Sequence, residues 1–268
     1  MVMHDGSVDL VVEGEVARVV INRPSMRNAL SLSMWRAIPD VLRRIRANPA
    51  VQLVVVQGQG NEAFSAGADI GELEALIGSR AAGLDYIDAI HGAEDALGMF
   101  ELPTVACIRG FCVGGGLELA MACDLRFATD DSRFMAPPAR LGIVYSVSST
   151  RRLCMLVGES GAKELLFSAR EIDAGEAIRI GLVNQIFTPE SFDEEFASRI
   201  EKMLRNSQRS IRNVKLIFDA IRSGAIVDPP EVRELRVSGF GEADFAEGVD
   251  AFRSRRHSNF TWGRAQSC

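Results

Sequence analysis

The chain has 268 residues, with 30 Lys and Arg against 36 Asp and Glu, for a formal net charge of −6. That balance argues against a general nucleic-acid binder, which needs a net basic face to displace counterions, but it leaves room for a small anionic ligand on a local basic cluster. The apolar fraction of 47% is that of a globular protein, no apolar run approaches the ~20 residues that cross a bilayer, and the start MVMHDGSVDL has neither the basic nor the apolar region of a signal peptide.

In chain order, Val8–Val12 and Val16–Ile21 are rich in β-branched residues and flank Glu13-Gly14-Glu15, the pattern of a hairpin. Ser31 is a helix cap, and Leu32, Trp35, Ile38, Leu42 and Ile45 recur at helical spacing over 32–47, with Pro39 as an expected kink. Val51–Gln57 is a near-continuous apolar strand of the kind covered on both faces. Gly58–Gly67 reads as a loop and 69–99 as helical sequence. Thr104–Arg109 is the next strand, Gly115–Cys123 a helix and Asp124–Ala128 a further strand. Beyond about 148 the sequence is mostly helical, broken at Gly181–Asn184 and hinged at Asp228-Pro229-Pro230. Strand, crossover and strand recurring in this way predict an α/β fold with a helical C-terminal part.

The five cysteines (Cys107, Cys112, Cys123, Cys154, Cys268) are odd in number and lack CxxC spacing, which favours free thiols and a reducing cytoplasm over a disulfide framework. His4, His91 and His257 lie far apart and none belongs to an HExxH, so no metal site is expected.

Two segments carry chemistry. In the first, Ile108 to Asp124, an apolar strand runs into Gly114-Gly115-Gly116 and then an apolar helix. The glycines let backbone approach a ligand without an intervening Cβ. The helix start leaves N–H groups unpaired at the positive end of the dipole, a place for an anion or for an oxygen that becomes negative during reaction. Glu118, in the first turn of that apolar helix, is either an acid/base group or a surface acid complementing the dipole. The glycines do not form GxGxxG, no Walker lysine follows, and Gly158-Glu159-Ser160-Gly161 is not a nucleophile elbow. The second segment is Phe64-Ser65-Ala66-Gly67-Ala68-Asp69-Ile70, where small residues expose backbone N–H groups and Asp69 suits a helix N-terminus.

Together with Asn22-Arg23-Pro24-Ser25-Met26-Arg27-Asn28-Ala29-Leu30, these segments resemble the enoyl-CoA hydratase/isomerase (crotonase) superfamily, which shows NRPxxxNAL, (S/A)AGAD(I/L) and GxxxGGGxELAxxCD in that order. The resemblance runs over roughly residues 8–260. It implies a spiral of ββα units as a catalytic core over 1–200 and a C-terminal helical region over 201–268 that builds homotrimers or dimers of trimers. It implies acyl-CoA thioester substrates and no cofactor other than the coenzyme A of the substrate. Ala68 and Gly115 correspond to the oxyanion hole and Glu118 to an acid/base glutamate. Ala66, Asp69, Ile70, Gly114, Pro138 and Arg140 fall along the substrate, Arg23 and Arg27 on the loop bordering the adenine and phosphates. Phe252 and Arg255 lie in a run similar to the family's terminal AFxEKRxxxF, which reaches a neighbouring subunit's CoA. For each arginine a solvated surface charge is the competing reading. That run lies in a basic tail: residues 251–268 carry a formal +4, leaving −10 on residues 1–250.

The chain also departs from the family pattern. Hydratases place a second glutamate in a PE pair some twenty residues after the first, and here Pro138 occupies that place, with no Asp or Glu between Asp131 and Glu159. Proline cannot move a proton, a contribution worth roughly 10²–10⁴-fold. Leu141-Gly142-Ile143-Val144-Tyr145 is similar to the LGxPY segment of methylmalonyl-CoA decarboxylase-like members, where the tyrosine lies in the active site, although those members carry a histidine where this chain has Ala68. Tyr145 is otherwise a half-buried core aromatic. Three functions remain open at this point: an enoyl-CoA hydratase/isomerase-type lyase, a methylmalonyl- or ethylmalonyl-CoA decarboxylase, and a non-catalytic acyl-CoA binding protein.

Overall fold

The structure is a computed structural model and describes residues 6–262. The hairpin forms as expected. Strand β1 (Ser7–Glu13) pairs antiparallel with β2 (Val16–Asn22). Helix α1 (Leu32–Arg46) follows, its N-terminus capped by the Ser31 side chain, which accepts from Met34 N. Met34, Trp35, Ile38, Val41, Leu42 and Ile45 are buried along one face, and the helix runs through Pro39. Each such side chain contributes about 1.5–3 kcal/mol on leaving water.

From there the chain winds as a spiral whose turns each lay one strand in a large sheet and one in a small sheet. The first turn is β3 (Leu53–Gly58), β4 (Ala63–Ser65) and helices α2 (Ile70–Glu74) and α3 (Arg80–Gly98). The second is β5 (Thr104–Ile108), β6 (Phe111–Val113) and α4 (Gly115–Ala122). The third is β7 (Leu125–Thr129), β8 (Arg133–Met135), α5 (Pro138–Leu141) and α6 (Val147–Ser168). Strand β9 (Glu171–Asp173), α7 (Ala174–Arg179) and β10 (Gln185–Phe187) close it. The large sheet has the order β1-β2-β3-β5-β7-β10 and is parallel apart from the β1–β2 pair; the small one has the order β4-β6-β8-β9, parallel except at β8–β9.

The apolar run of β3 is explained by two buried faces. Val54 and Val56 join the core formed with α1, α3 and α4, while Leu53 and Val55 join Val105, Phe127 and the Phe192, Phe196 and Ile200 side chains of α8 (Phe192–Arg205). Residue 200 therefore lies inside a helix packed on the sheet. Helices α9 (Gln208–Arg222), α10 (Pro230–Ser238) and α11 (Ala243–Ser254) follow. Lys215 of α9 donates to Asp124 Oδ2 (2.6 Å) and Leu102 O (2.9 Å), tying this region to the body. Val214, Phe218, Ile221, Phe240, Phe245 and Phe252 of the same region are exposed.

Three expectations change. The helix expected over 69–99 is two helices, because Gly78 takes φ +76° and Ser79 caps a new start. The segment 58–67 contains β4, and β6, β8 and β9 are likewise three-residue strands. The long C-terminal helical stretch is interrupted by β9 and β10, and α6 bends at Gly158 (φ +75°). Cys107, Cys112, Cys123 and Cys154 are free thiols, and Cys268 and His4 lie outside the described residues. Among the described residues no cluster of metal-ligating side chains occurs, and no helix is long and apolar enough to cross a membrane.

Candidate active site

The small sheet brings the two chemistry-bearing loops together. Strands β4 and β6 are parallel neighbours, so the segments that leave them, 66–69 and 114–116, run side by side. Gly67 (φ +93°) sits so close to the second loop that a Cβ there would lie 2.8 Å from Val113 O and 3.1 Å from Gly115 N. A Cβ on Gly115 would meet the Trp35 ring at 2.8 Å and stand 3.8 Å from Ala68 N. Glycine is required at both positions.

The Ala68 segment is fixed on each side by backbone bonds to Leu30. Leu30 N donates to Gly67 O (2.7 Å) and Asp69 N donates to Leu30 O (3.1 Å). Ser65 Oγ donates to Asn28 O (2.8 Å) and accepts from Gly67 N (3.1 Å). Asn28 is itself buried at φ +56° and bonds Gln59 O and Ala63 O. On the other loop, Gly114 N donates to Met135 O (2.9 Å). Among the described residues the Ala68 and Gly115 N–H groups make no hydrogen bond. Two unpaired backbone donors set close together, one at a helix start, have the chemistry to receive an oxygen that gains negative charge.

Glu118 stands in the first turn of α4 and is 7% exposed. Three further polar groups close on it from other elements: Glu94 of α3, and Ser149 and Arg152 of α6. Ser149 Oγ donates to Glu94 Oε2 (2.6 Å), and Arg152 approaches the same oxygen at 3.4 Å while pairing with Asp95 at 3.3 Å. Glu94 is 0% exposed, and its Oε1 is buried with no partner. Burial first, and the Glu94 carboxylate second, push the Glu118 carboxyl up to about 8. Burial also raises Glu94, against the Ser149 hydrogen bond and the Arg152 charge. Tyr145 is half-buried with its hydroxyl enclosed and unpartnered; burial and then the Glu118 charge lift it well above the ordinary phenol range.

The remaining sequence candidates divide. Asp69 caps α2 through Gly71 N (2.8 Å) and pairs with Arg23 at 2.5 Å, which holds its carboxyl below the usual range. Arg23 thus reaches the Ala68 loop, Ala66 is partly exposed beside it, and Ile70 is 56% exposed. Arg27 is engaged by Glu62 (2.6 Å) and lies over the Phe111 ring at 5.0 Å. Pro138 is buried at the start of α5, and Arg140 is exposed with no ion pair among the described residues. Phe252 is 87% exposed, and Arg255 is exposed and ends α11 at φ +53°. Within one chain no hydrogen bond or ion pair among the described residues joins these two to the Ala68 or Gly115 loops. Two pronounced surface concavities, at Arg18, Gln59 and Arg109 and between α9 and α11, lie apart from Glu118.

A model of the family described as enoyl-CoA hydratase/isomerase matches residues 12–263. The chain belongs to the enoyl-CoA hydratase/isomerase family. It is similar to a crotonyl-CoA hydratase of Syntrophomonas wolfei, with 34% identity over 95% of this chain and 97% of the relative. It is 35% identical to a short-chain-enoyl-CoA hydratase of Clostridium acetobutylicum over the same shares. A crystal structure of an enoyl-CoA hydratase/isomerase family protein from Hyphomonas neptunium superposes with a TM-score of 0.90 at 38% identity, over 95% of this chain and 97% of that one. The spiral of two-sheet turns is accordingly the crotonase fold.

For an enoyl-CoA hydratase/isomerase, the notable residue is one that the sequence reading passed over. No carboxylate stands near 138, where the chain has Pro138, yet Glu94 is buried beside Glu118 from a different part of the chain. Glu94 lies on the stripe of α3 that also holds Tyr86, Ala93 and Leu97, all buried. A charged residue at a core position of an amphipathic helix is the local signal that marks it.

Proposed function

We propose that the protein adds water across the double bond of a 2-enoyl-CoA thioester, or runs the reverse elimination, with Glu118 as the acid/base and the Ala68 and Gly115 N–H groups as the oxyanion hole. The observation that carries this reading is the convergence of the two unpaired N–H groups with a buried glutamate one helical turn past Gly115. Negative charge built on the thioester oxygen is stabilised by such donors by several kcal/mol.

A neutral Glu118 makes the absence of a carboxylate at 138 tolerable. One carboxyl oxygen delivers its proton to the α-carbon as the other takes a proton from the water whose oxygen bonds the β-carbon. One water is consumed, its O–H bond breaks, the new C–O and C–H bonds form, and Glu118 ends protonated as it began. Arg23, paired with Asp69 beside the Ala68 loop, would meet the phosphates of an anionic coenzyme, and the proposed reaction uses no cofactor beyond the coenzyme A of the substrate. Phe252 and Arg255 complete a site only from a neighbouring copy, in keeping with a trimer or a dimer of trimers built on the exposed apolar residues of α9–α11.

Decarboxylation of a malonyl-type thioester is the second reading, favoured by Tyr145 with its enclosed hydroxyl and by the same protonated Glu118, which would not repel a substrate carboxylate and would protonate the enolate left by CO₂. The test is a panel of enoyl-, hydroxyacyl-, methylmalonyl- and ethylmalonyl-CoA followed by mass spectrometry. Gain of one water by crotonyl-CoA, falling roughly 10²–10⁴-fold in Glu118→Gln, is expected. Undiminished hydration in that variant refutes the role of Glu118, CO₂ loss selects the second reading, and binding without turnover leaves an acyl-CoA binding protein.

A further inference from the structure

Glu94 contributes to no step above, yet it is the more deeply enclosed of two neighbouring carboxylates. Helix α3 packs on α4 and α4 on α6, so Glu94, Glu118 and Ser149 meet where three helices converge. The groups facing the pair are His91 and Asp95 on α3, Ser149 and Arg152 on α6, and the Tyr86 and Tyr145 phenols. The donors are distributed unequally: Ser149 stands within reach of both carboxyls and Arg152 acts on both, but the one Ser149 hydroxyl proton goes to Glu94 Oε2 at 2.6 Å, and the Arg152 guanidinium lies 3.4 Å from that same oxygen. Two carboxylates in one enclosed site cannot both be charged without large cost, and the proton stays on the one with fewer donors.

We propose that Glu94 is a positioning residue of the acyl-thioester site: held as the anionic half of a buried two-carboxylate pair by Ser149 and Arg152, it keeps the pair's single proton on Glu118. This rests on the acid/base role proposed for Glu118. Glu94 is fully enclosed and acts through Glu118. As Glu118 passes its proton to the α-carbon, the neighbouring Glu94 charge favours capture by Glu118 of the proton that the attacking water gives up. The O–H bond of that water breaks as the Glu118 O–H bond forms, and Glu94 gains and loses nothing.

The test compares the full-length protein with Glu94→Gln, which keeps size and an acceptor for Ser149 but removes the charge, and with Glu94→Met as a second variant should the first fold poorly. Two readouts are taken: the ionisation of Glu118, followed without substrate by carboxyl-labelled glutamate NMR and assigned by the signal missing in Glu118→Gln; and the pH dependence of kcat/KM on the thioester that is turned over. In the wild type the Glu118 signal titrates near 8. In Glu94→Gln its midpoint falls by about one pH unit or more, the pH limb of kcat/KM moves with it, and KM is unchanged. A folded variant whose Glu118 midpoint stays in place overturns the proposal, whatever the enzyme turns over. A midpoint that moves in a protein active on no thioester of the panel leaves the pair standing and removes the proposed hydratase function instead.

Discussion

The proton on Glu118 has a thermodynamic signature that needs no substrate. In an unfolded chain this side chain ionises as an ordinary glutamate, near 4.5, whereas in the folded protein burial and the Glu94 charge push it to about 8. Between those values the native state holds a proton that the unfolded chain has released. The sign is the reverse of that for a salt-bridged carboxylate. Relative to a chain with an uncharged residue here, stability is highest below the unfolded value and is lost as pH rises through the folded one. One proton corresponds to about 1.4 kcal/mol per pH unit, so raising the pH from about 5 to about 8 removes roughly 4 kcal/mol, a large part of the 5–15 kcal/mol of an ordinary domain. Glu118→Gln has the same shape and no charge. Urea unfolding of both proteins at one fixed concentration, at intervals across that range, gives their difference in stability. The wild type should lose ground on the variant steadily as the pH rises. Parallel profiles would show that Glu118 ionises alike in both states; the resting site would then hold a charged carboxylate, and a mechanism that begins with an acid would be untenable.

Two further perturbations test the frame around that acid. Gly67→Ala forces a Cβ to 2.8 Å from Val113 O at φ +93°, which should cost about 1–3 kcal/mol of stability. It should also shift Ala68 from Gly115 enough to lower kcat by roughly 10²–10³-fold, the loss of one oxyanion donor; a stable, fully active variant would detach Ala68 from catalysis. Asp69→Asn keeps the cap on α2 but gives up the charge opposite Arg23. Because the folded value of Asp69 lies below the unfolded one, its contribution is present above the ordinary aspartate value and is lost as pH falls through the folded value. The variant should be less stable by about 1–3 kcal/mol at neutral pH, and thermal melts should converge in acid.

Much of this molecule is legible in the chain because long elements leave periodic traces. The β-branched runs of β1, β2, β3 and β5 and the amphipathic stripe of α1 are local patterns, and so are the glycines and small residues of the two loops. The small sheet is not legible: β4, β6, β8 and β9 are three residues each, too short for alternation to be distinguished from loop. Their pairing is a product of the spiral and not of local preference. The same limit applies to the site. Ala68, Gly115 and Glu118 lie in dense motifs, whereas Glu94 is one of four acids on α3, with Asp85, Asp88 and Asp95. Only the packing of α4 and α6 against that helix turns it inward. The direction of Arg140, exposed on α5, and the separation of Phe252 and Arg255 from the two loops within one chain are likewise tertiary facts.

The burial of Glu94 is itself an argument for use. Its Oε1 has no partner and its nearest cation stands at 3.4 Å, so the pairing does not fully offset the loss of hydration. An apolar side chain of the same volume often leaves a fold equally stable or more so. A carboxylate in such a place is difficult to explain by packing, and its effect on the neighbouring acid is the evident return. The position of Glu94 also limits what it replaces. A glutamate at 138, at the start of α5, would be a second group to handle the attacking water of the proposed reaction, and a fully enclosed residue of α3 cannot do that. It supplies the electrostatic half of a two-carboxylate site without the contact half. Removing it should therefore change the pH at which Glu118 works as an acid, whereas removing Glu118 should abolish the proton transfer itself.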